Sequence, residues 1–160
     1  MNLQKIILNH IQHYNHKKYW KYRSIVINPK NKYPKWIKYI LLLYIKRCDA
    51  FNGCSFGTNI NSGSYFETPP NLPHGPKGII IGHTLRFGKN VTIFHHVTIS
   101  GGGDCVIGSN VLFSTGVTIV SDVKFIGDNA KIGANCVVVE DVPNNATVVM
   151  QKPRIIIREK

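Results

Sequence analysis

From Ile60 to Val142 the apolar positions of this chain recur every six residues. Each unit opens on an aliphatic or aromatic residue, often followed by Gly or a small polar residue. A second small or apolar residue stands four positions on. Ile81-Gly82-x-x-Leu85, Phe87-Gly88-x-x-Val91, Ile107-Gly108-x-x-Val111, Ile126-Gly127-x-x-Ala130 and Ile132-Gly133-x-x-Cys136 show the pattern in full. An amphipathic helix would repeat at three, four and seven, and an ordinary strand would alternate by two over a longer run. A fixed six-residue period predicts a parallel β-helix, an all-β solenoid in which each repeat is one face of a coil.

The first inward positions fall at 60, 66, 72, 81, 87, 93, 99, 107, 113, 119, 126, 132 and 138. Three steps exceed six: 72 to 81, 99 to 107 and 119 to 126. Extra residues in a strict repeat must bulge at corners, where solenoids tend to carry function. The first bulge holds Pro73-His74-Gly75-Pro76-Lys77-Gly78, and the second holds Ser100-Gly101-Gly102-Gly103-Asp104. Before the repeat, residues 2–15 read as an amphipathic helix with Leu3, Ile6, Ile7 and Ile11 in one stripe. Residues 20–34 read as a loop broken by Asn28-Pro29 and Tyr33-Pro34. Residues 35–47 read as a second helix. The expected organisation is a basic, mainly helical arm over 1–50, a β-helical domain over 51–150 and a tail over 151–160.

Charge sharpens the picture of the arm. The chain has 20 Lys and Arg against 8 acids. Residues 1–50 hold eleven of the basic residues and one acid, Asp49. Such an arm suits an acidic glycan, phosphate or the inner face of a membrane, and equally forms an ordinary solvated surface. No nucleic-acid motif accompanies the charge. The first residues turn polar too soon for a signal peptide, so a bacterial cytoplasmic protein is expected, with peripheral contact at the inner membrane as an option. The run Ile37–Ile45 is too short to span a bilayer. Cys48, Cys54, Cys105 and Cys136 form no C-x-x-C pair and no metal spacing, and Cys136 reads as a small core residue.

Three hexads make one coil, so residues three repeats apart stack. His74 lies two after Leu72, His95 two after Ile93, Thr115 two after Phe113 and Ala134 two after Ile132. One corner column therefore reads His74, His95, Thr115, Ala134, with neighbours about 4.8 Å apart. Two imidazoles above two small residues fit a base at the head of a groove. His96 should point away from His95. His10, His13 and His16 read as a solvated face of the arm.

At these residues the chain resembles the hexapeptide-repeat acyltransferases, in their serine-acetyltransferase-like branch, and most closely the colanic acid and capsule biosynthesis acetyltransferases. The stretches that carry the resemblance are Leu72-Pro-His-Gly-Pro-Lys-Gly-Ile-Ile-Ile-Gly82, Asn90-Val-Thr-Ile-Phe-His-His-Val-Thr-Ile-Ser100, Ile126 to Val139 and Asp141 to Val149. The resemblance implies a left-handed β-helix, although parallel crossovers are normally right-handed. It also implies a homotrimer, acetyl-CoA as co-substrate and no metal. His74 takes the place of the family's catalytic histidine, a general base for an acceptor hydroxyl in direct transfer, with His95 as the second catalytic candidate. The family's small-residue turn falls on Ser114, Thr115 and Gly116, and one coil on at Gly133 and Ala134, where the coenzyme arm would lie. Lys131, Lys152 and Arg154 are candidates for its phosphates.

The chain departs from serine acetyltransferases in five places, one of them a histidine-containing bulge that is one residue longer. Its helical arm is short. Pro73 stands where they carry an acid before the catalytic histidine. The loop Ser100–Asp104 lacks their second active-site histidine, and Met150-Gln151-Lys152-Pro153 replaces their Gly-Val-Pro-Ala. These departures lead to an expected acceptor larger than L-serine: a sugar hydroxyl of a cell-surface polysaccharide or its precursor. L-Serine is the alternative acceptor, and a non-catalytic β-helix that binds anionic glycans is the reading outside enzymology. Glu67 and Asp104 are the candidate acids to orient His74.

Overall fold

The computed structural model describes residues 3–100, 103–154 and 156. Three helices come first: α1 (Leu3–Ile11), α2 (His16–Ile27) and α3 (Lys35–Asn52). The expectation of two helices with a loop over 20–34 is therefore corrected. Asn15 caps α2 by accepting from the Lys18 backbone N–H at 3.0 Å. Asn28-Pro29 is the end of α2, and Pro34 precedes the first turn of α3. The third helix runs past Arg47 to Asn52 and stops where Gly53 turns left-handed at φ +57°. The α1 stripe does not pack inward: Leu3, Ile7 and Ile11 are all exposed, and the Ile6 side chain lies outside the described part. His16 accepts or donates to the Tyr14 hydroxyl at 3.0 Å and is half-buried rather than a solvated face.

The coil follows as a left-handed parallel β-helix of about four turns. Its first face stacks β1 (Ser55–Phe56), β5 (Ile80–Ile81), β8 (Thr98–Ile99), β11 (Thr118–Ile119) and β14 (Val137–Val138). The second face stacks β4 (Tyr65–Phe66), β6 (Arg86–Phe87), β9 (Val106–Ile107) and β12 (Phe125–Ile126). The third stacks β7 (Thr92–Ile93), β10 (Leu112–Phe113), β13 (Lys131–Ile132) and β15 (Thr147–Val148). In each two-residue strand one side chain points in, so the core is three columns of aliphatic and aromatic residues. Phe66 lies flat on Phe87 with ring centroids 4.1 Å apart. Burying one such side chain is worth about 2 kcal/mol.

One inward position is corrected. Ile60 does not belong to the coil; it sits at the tip of an antiparallel hairpin, β2 (Thr58–Asn59) with β3 (Ser62–Gly63). Phe56 takes its place, because Phe56 pairs with Ile81 on the first face. The hairpin is held from inside. Arg23 of α2 is 1% exposed and donates to Thr58 Oγ1 at 3.0 Å, Phe56 O at 2.7 Å, Ser64 O at 2.6 Å and Ser64 Oγ at 2.8 Å. Its guanidinium also lies over Trp20 and Phe66. Burial lowers its pKa to about 10, still far above neutral, so the cation persists. Four carbonyl and hydroxyl oxygens of the first turn thus find a donor inside the core.

The corners close on left-handed residues. Between the second and third faces Asn90, Asn110, Asn129 and Asn145 stack, all at φ between +56° and +60°. Their amides form a ladder: Asn90 donates to Asn110 at 3.3 Å, Asn110 to Asn129 at 3.1 Å and Asn129 to Asn145 at 3.0 Å. Asparagine is the side chain that best tolerates this backbone while bonding its neighbour. Asn110→Val should destabilise the protein by about 2 kcal/mol, because a β-branched residue resists the left-handed region. Asn110→Gly, free of that strain, should cost less than about 1 kcal/mol. Urea unfolding of both variants checks the order.

Beneath the arm, Asp49 is buried and accepts from the Tyr19 hydroxyl at 2.6 Å, while its Oδ2 has no partner. Desolvation raises its pKa, with the Tyr19 bond pulling the other way. A folded carboxyl with a raised pKa binds its proton more tightly than the unfolded chain does. Stability is therefore lost as pH rises from the unfolded carboxylate value, about 4, through the folded one. Asp49→Asn should be more stable than the parent at neutral pH, and the advantage should vanish below about pH 4. Denaturant midpoints across that range measure it. All four cysteines are free and buried, and burial pushes the Cys105 thiol up to about 11. Among the described residues no helix is long and apolar enough to cross a membrane.

Candidate active site

The corner between the third and first faces carries the histidines. Leu112 pairs with Thr92 and with Lys131, and Asn71 bridges to Thr92. Three residues beyond each of these, the register stacks His74, His95, Thr115 and Ala134. His96, Gly116 and Asn135 then turn left-handed at φ +57°, +72° and +57°, with Gly78 above them at +67°. The exposure of His96 follows from this corner turn, not from the strand alternation on which the expectation rested. Glycine is required at 78, since a β-carbon there would run into the His96 ring.

The first bulge comes from the three residues Gly75, Pro76 and Lys77, inserted between His74 and Gly78. Gly75 N–H returns to Leu72 O at 3.1 Å, and Gly78 N–H donates to Asn52 O at the end of α3. Asn52 in turn donates to Cys48 O and Gln12 O. The arm thus braces the loop that presents His74. Below it, His95 is pinned by Gly116 N–H to His95 O at 3.2 Å, and His96 N–H donates to Lys77 O at 3.1 Å. The two imidazoles meet directly, Nδ1 to Nδ1 at 3.0 Å, with Phe94 edge-on to the His74 ring. His74 is exposed and His95 half-buried.

Neither acid expected to orient His74 reaches it. Glu67 pairs with Lys89 at 3.0 Å on the second face. Asp104 borders a different corner, because the second bulge stands between the first and second faces. Gly101 and Gly102 of that bulge lie outside the described residues. Ser114, Thr115 and Gly116 occupy the third turn of the histidine corner, and Gly133 and Ala134 the fourth, so small side chains continue the column below the imidazoles. Lys131 is exposed on β13, and Lys152 and Arg154 are exposed in the segment after β15. No hydrogen bond or ion pair among the described residues ties these three to the corner.

A second concavity was not legible beforehand. Between α2 and the second face lies an open cleft of about 1060 Å³, bordered by Lys17, Trp20, Lys21, Phe66, Arg86 and Asp104. The charge of the arm was its only signal, and only the docking of α2 makes the cleft.

No family model matches the chain. Among curated proteins it is similar to serine acetyltransferase of Helicobacter pylori, 33% identical over 110 residues that cover 65% of this chain and 63% of that protein. Against serine acetyltransferase of Staphylococcus aureus it is 38% identical over 99 residues, 58% of this chain and 46% of that one. Among solved structures, soybean serine acetyltransferase complexed with serine superposes with TM-score 0.58 at 28% identity, covering 95% of this chain and 57% of that one. The chain thus spans between about half and two thirds of the length of these relatives. Coil and similarity together support placing it in the hexapeptide-repeat acyltransferase family. Within that family the support is for its serine-acetyltransferase-like members.

Two expectations are corrected by these likenesses. The relatives are serine acetyltransferases, not capsule or colanic acid enzymes, and this overturns the polysaccharide acceptor. The departures that suggested it lie in the arm, in two loops and in the tail. Such segments vary without disturbing the coil that carries the likeness.

Proposed function

We propose that this protein is a serine O-acetyltransferase, which moves the acetyl group of acetyl-CoA to the hydroxyl of L-serine. The observation that supports it is the imidazole pair at the head of a small-residue column, on a coil similar to those of serine acetyltransferases. His74 is the general base. A neutral hydroxyl is a poor nucleophile near pH 7, and a positioned base removes its proton as the oxygen attacks the thioester. Transfer is direct, so much of the rate comes from holding the two substrates together. Ser114, Thr115, Gly116, Gly133 and Ala134 leave room for the pantetheine arm, and Lys131, Lys152 and Arg154 attract the coenzyme phosphates. The working form is a homotrimer with the coenzyme in the groove between protomers. The β-helix that follows α3 carries the chemistry, and the helical arm, which runs to Asn52 rather than to residue 50, closes its first turn.

Release of coenzyme A thiol by the purified protein, with acetyl-CoA and L-serine, tests the reading. L-Serine-dependent turnover is expected, together with O-acetylserine by mass. Acetyl-CoA binding without L-serine-dependent thiol release would overturn the acceptor assignment.

A further inference from the structure

The contact between His74 and His95 joins two like atoms. A neutral imidazole carries one N–H, so across the 3.0 Å between the two Nδ1 atoms one ring donates and the other accepts. Two tautomer pairs satisfy this. If His95 donates, His74 carries its own proton on Nε2 and has no lone pair left for a substrate hydroxyl. If His74 donates, its Nε2 is bare and faces away from His95. Only the second arrangement leaves a base on His74.

Among the described residues no carboxylate lies within hydrogen-bond or ion-pair distance of either ring. Glu67 is taken by Lys89, Asp128 by the Ser109 backbone N–H at 2.6 Å, and Asp141 by the Lys124 and Phe125 N–H groups. Asp49 is buried under the arm with Tyr19. The partner of His74 is built in by register instead. The Ile93 N–H donates to Asn71 O at 3.0 Å, so consecutive turns hold the two histidines in one column, and the His95 carbonyl is fixed by Gly116.

We infer that His95 is a positioning residue whose neutral Nδ1 accepts the His74 Nδ1–H and holds His74 in the tautomer with Nε2 free. This rests on the acyltransferase reading above. A neutral imidazole then does what a carboxylate does for the histidine of a Ser-His-Asp triad: it fixes tautomer and ring orientation. The proton count closes. The serine hydroxyl proton passes to His74 Nε2 as its oxygen bonds to the acetyl carbon and the carbonyl π pair moves to oxygen. Collapse restores the C=O and breaks the C–S bond, and the departing thiolate takes the proton from His74 Nε2. His95 accepts the same hydrogen bond throughout and exchanges no proton.

The test uses the full chain with His95→Ala and His95→Asn, the asparagine Oδ1 standing near the Nδ1 position as an acceptor. His95→Ala should lower kcat about 30-fold with both KM values within about twofold. His95→Asn should recover kcat to within about fivefold of the parent. Imidazole ¹⁵N NMR reads the tautomer without turnover: His74 should carry its proton on Nδ1 in the parent and in His95→Asn, and on Nε2 in His95→Ala. Three results would overturn the inference: Nε2–H on His74 in the parent, parental kcat in His95→Ala, or equal loss in the two variants. Greater loss in His95→Ala than in His74→Ala would also sink it, by making His95 the base. A parent without L-serine turnover sinks the acceptor reading instead, and the tautomer measurement still decides the pairing.

Discussion

On the proposed serine O-acetyltransferase function, His74→Ala is expected to lower kcat for acetyl transfer to L-serine about a thousandfold, with acetyl-CoA still bound. A positioned general base contributes between about a hundredfold and ten-thousandfold, and a thousandfold is about 4 kcal/mol of transition-state stabilisation. The side chain is exposed on a loop, so its truncation should move stability by less than about 0.5 kcal/mol. The loop itself is held by backbone bonds, Gly75 to Leu72 and Gly78 to Asn52, which the substitution leaves alone. Steady-state kinetics and a thermal melt on the same preparation separate the two effects. A variant that melts with the parent and retains more than about a tenth of its kcat would remove His74 from the base role.

The second large effect concerns stability. Arg23→Met keeps much of the apolar volume against Trp20 and Phe66 but removes the guanidinium donors to Phe56 O, Ser64 O, Ser64 Oγ and Thr58 Oγ1, leaving Phe56 O with the Ser64 hydroxyl alone. Leaving buried acceptors unsatisfied costs about 1–3 kcal/mol each where water cannot follow. The expected loss is about 3 kcal/mol or more, read as a lower urea midpoint. Removing a buried cation also relieves a desolvation penalty, and hydrophobic replacement of buried ion pairs is sometimes neutral. Arg23 differs from those pairs because its partners are neutral, two backbone carbonyls and two hydroxyls, and the carbonyls remain buried after the substitution. A midpoint equal to the parent's would mean that the hairpin at 58–63 reorganises and hydrates. Hydrogen exchange at Asn61, whose N–H donates to Val26 O at 2.9 Å, would then accelerate.

The two effects differ in how far they could be foreseen. His74 and His95 were legible as a column because the six-residue repeat counts coils, and every coil obeys the same local rule of inward and outward positions. Stacking is then arithmetic, and the insertion after His74 announces itself as a broken count. The direct bond between the imidazoles was not legible, since it needs the corner geometry at Gly78 and His96 as well as the register. The asparagine ladder had a signal in Asn90, Asn110, Asn129 and Asn145, spaced at close to one coil, which the apolar pattern passes over.

By itself, then, the sequence determined the parallel coil, its three inward columns and the stacking of two histidines above small residues. The reason is that a solenoid writes its contacts into a short period, each turn buried by the next. Tertiary structure decided what has no period. The segment 16–27 is basic and weakly patterned, yet it is helix α2 because docking buries Tyr19, Trp20, Arg23 and Val26 against the first turn. That docking also turned Ile60 out of the coil, closed the hairpin on Arg23 and opened the cleft beside Arg86. Such contacts join residues some 35 positions apart, where a neighbour's identity says little and burial in the assembled fold settles the conformation.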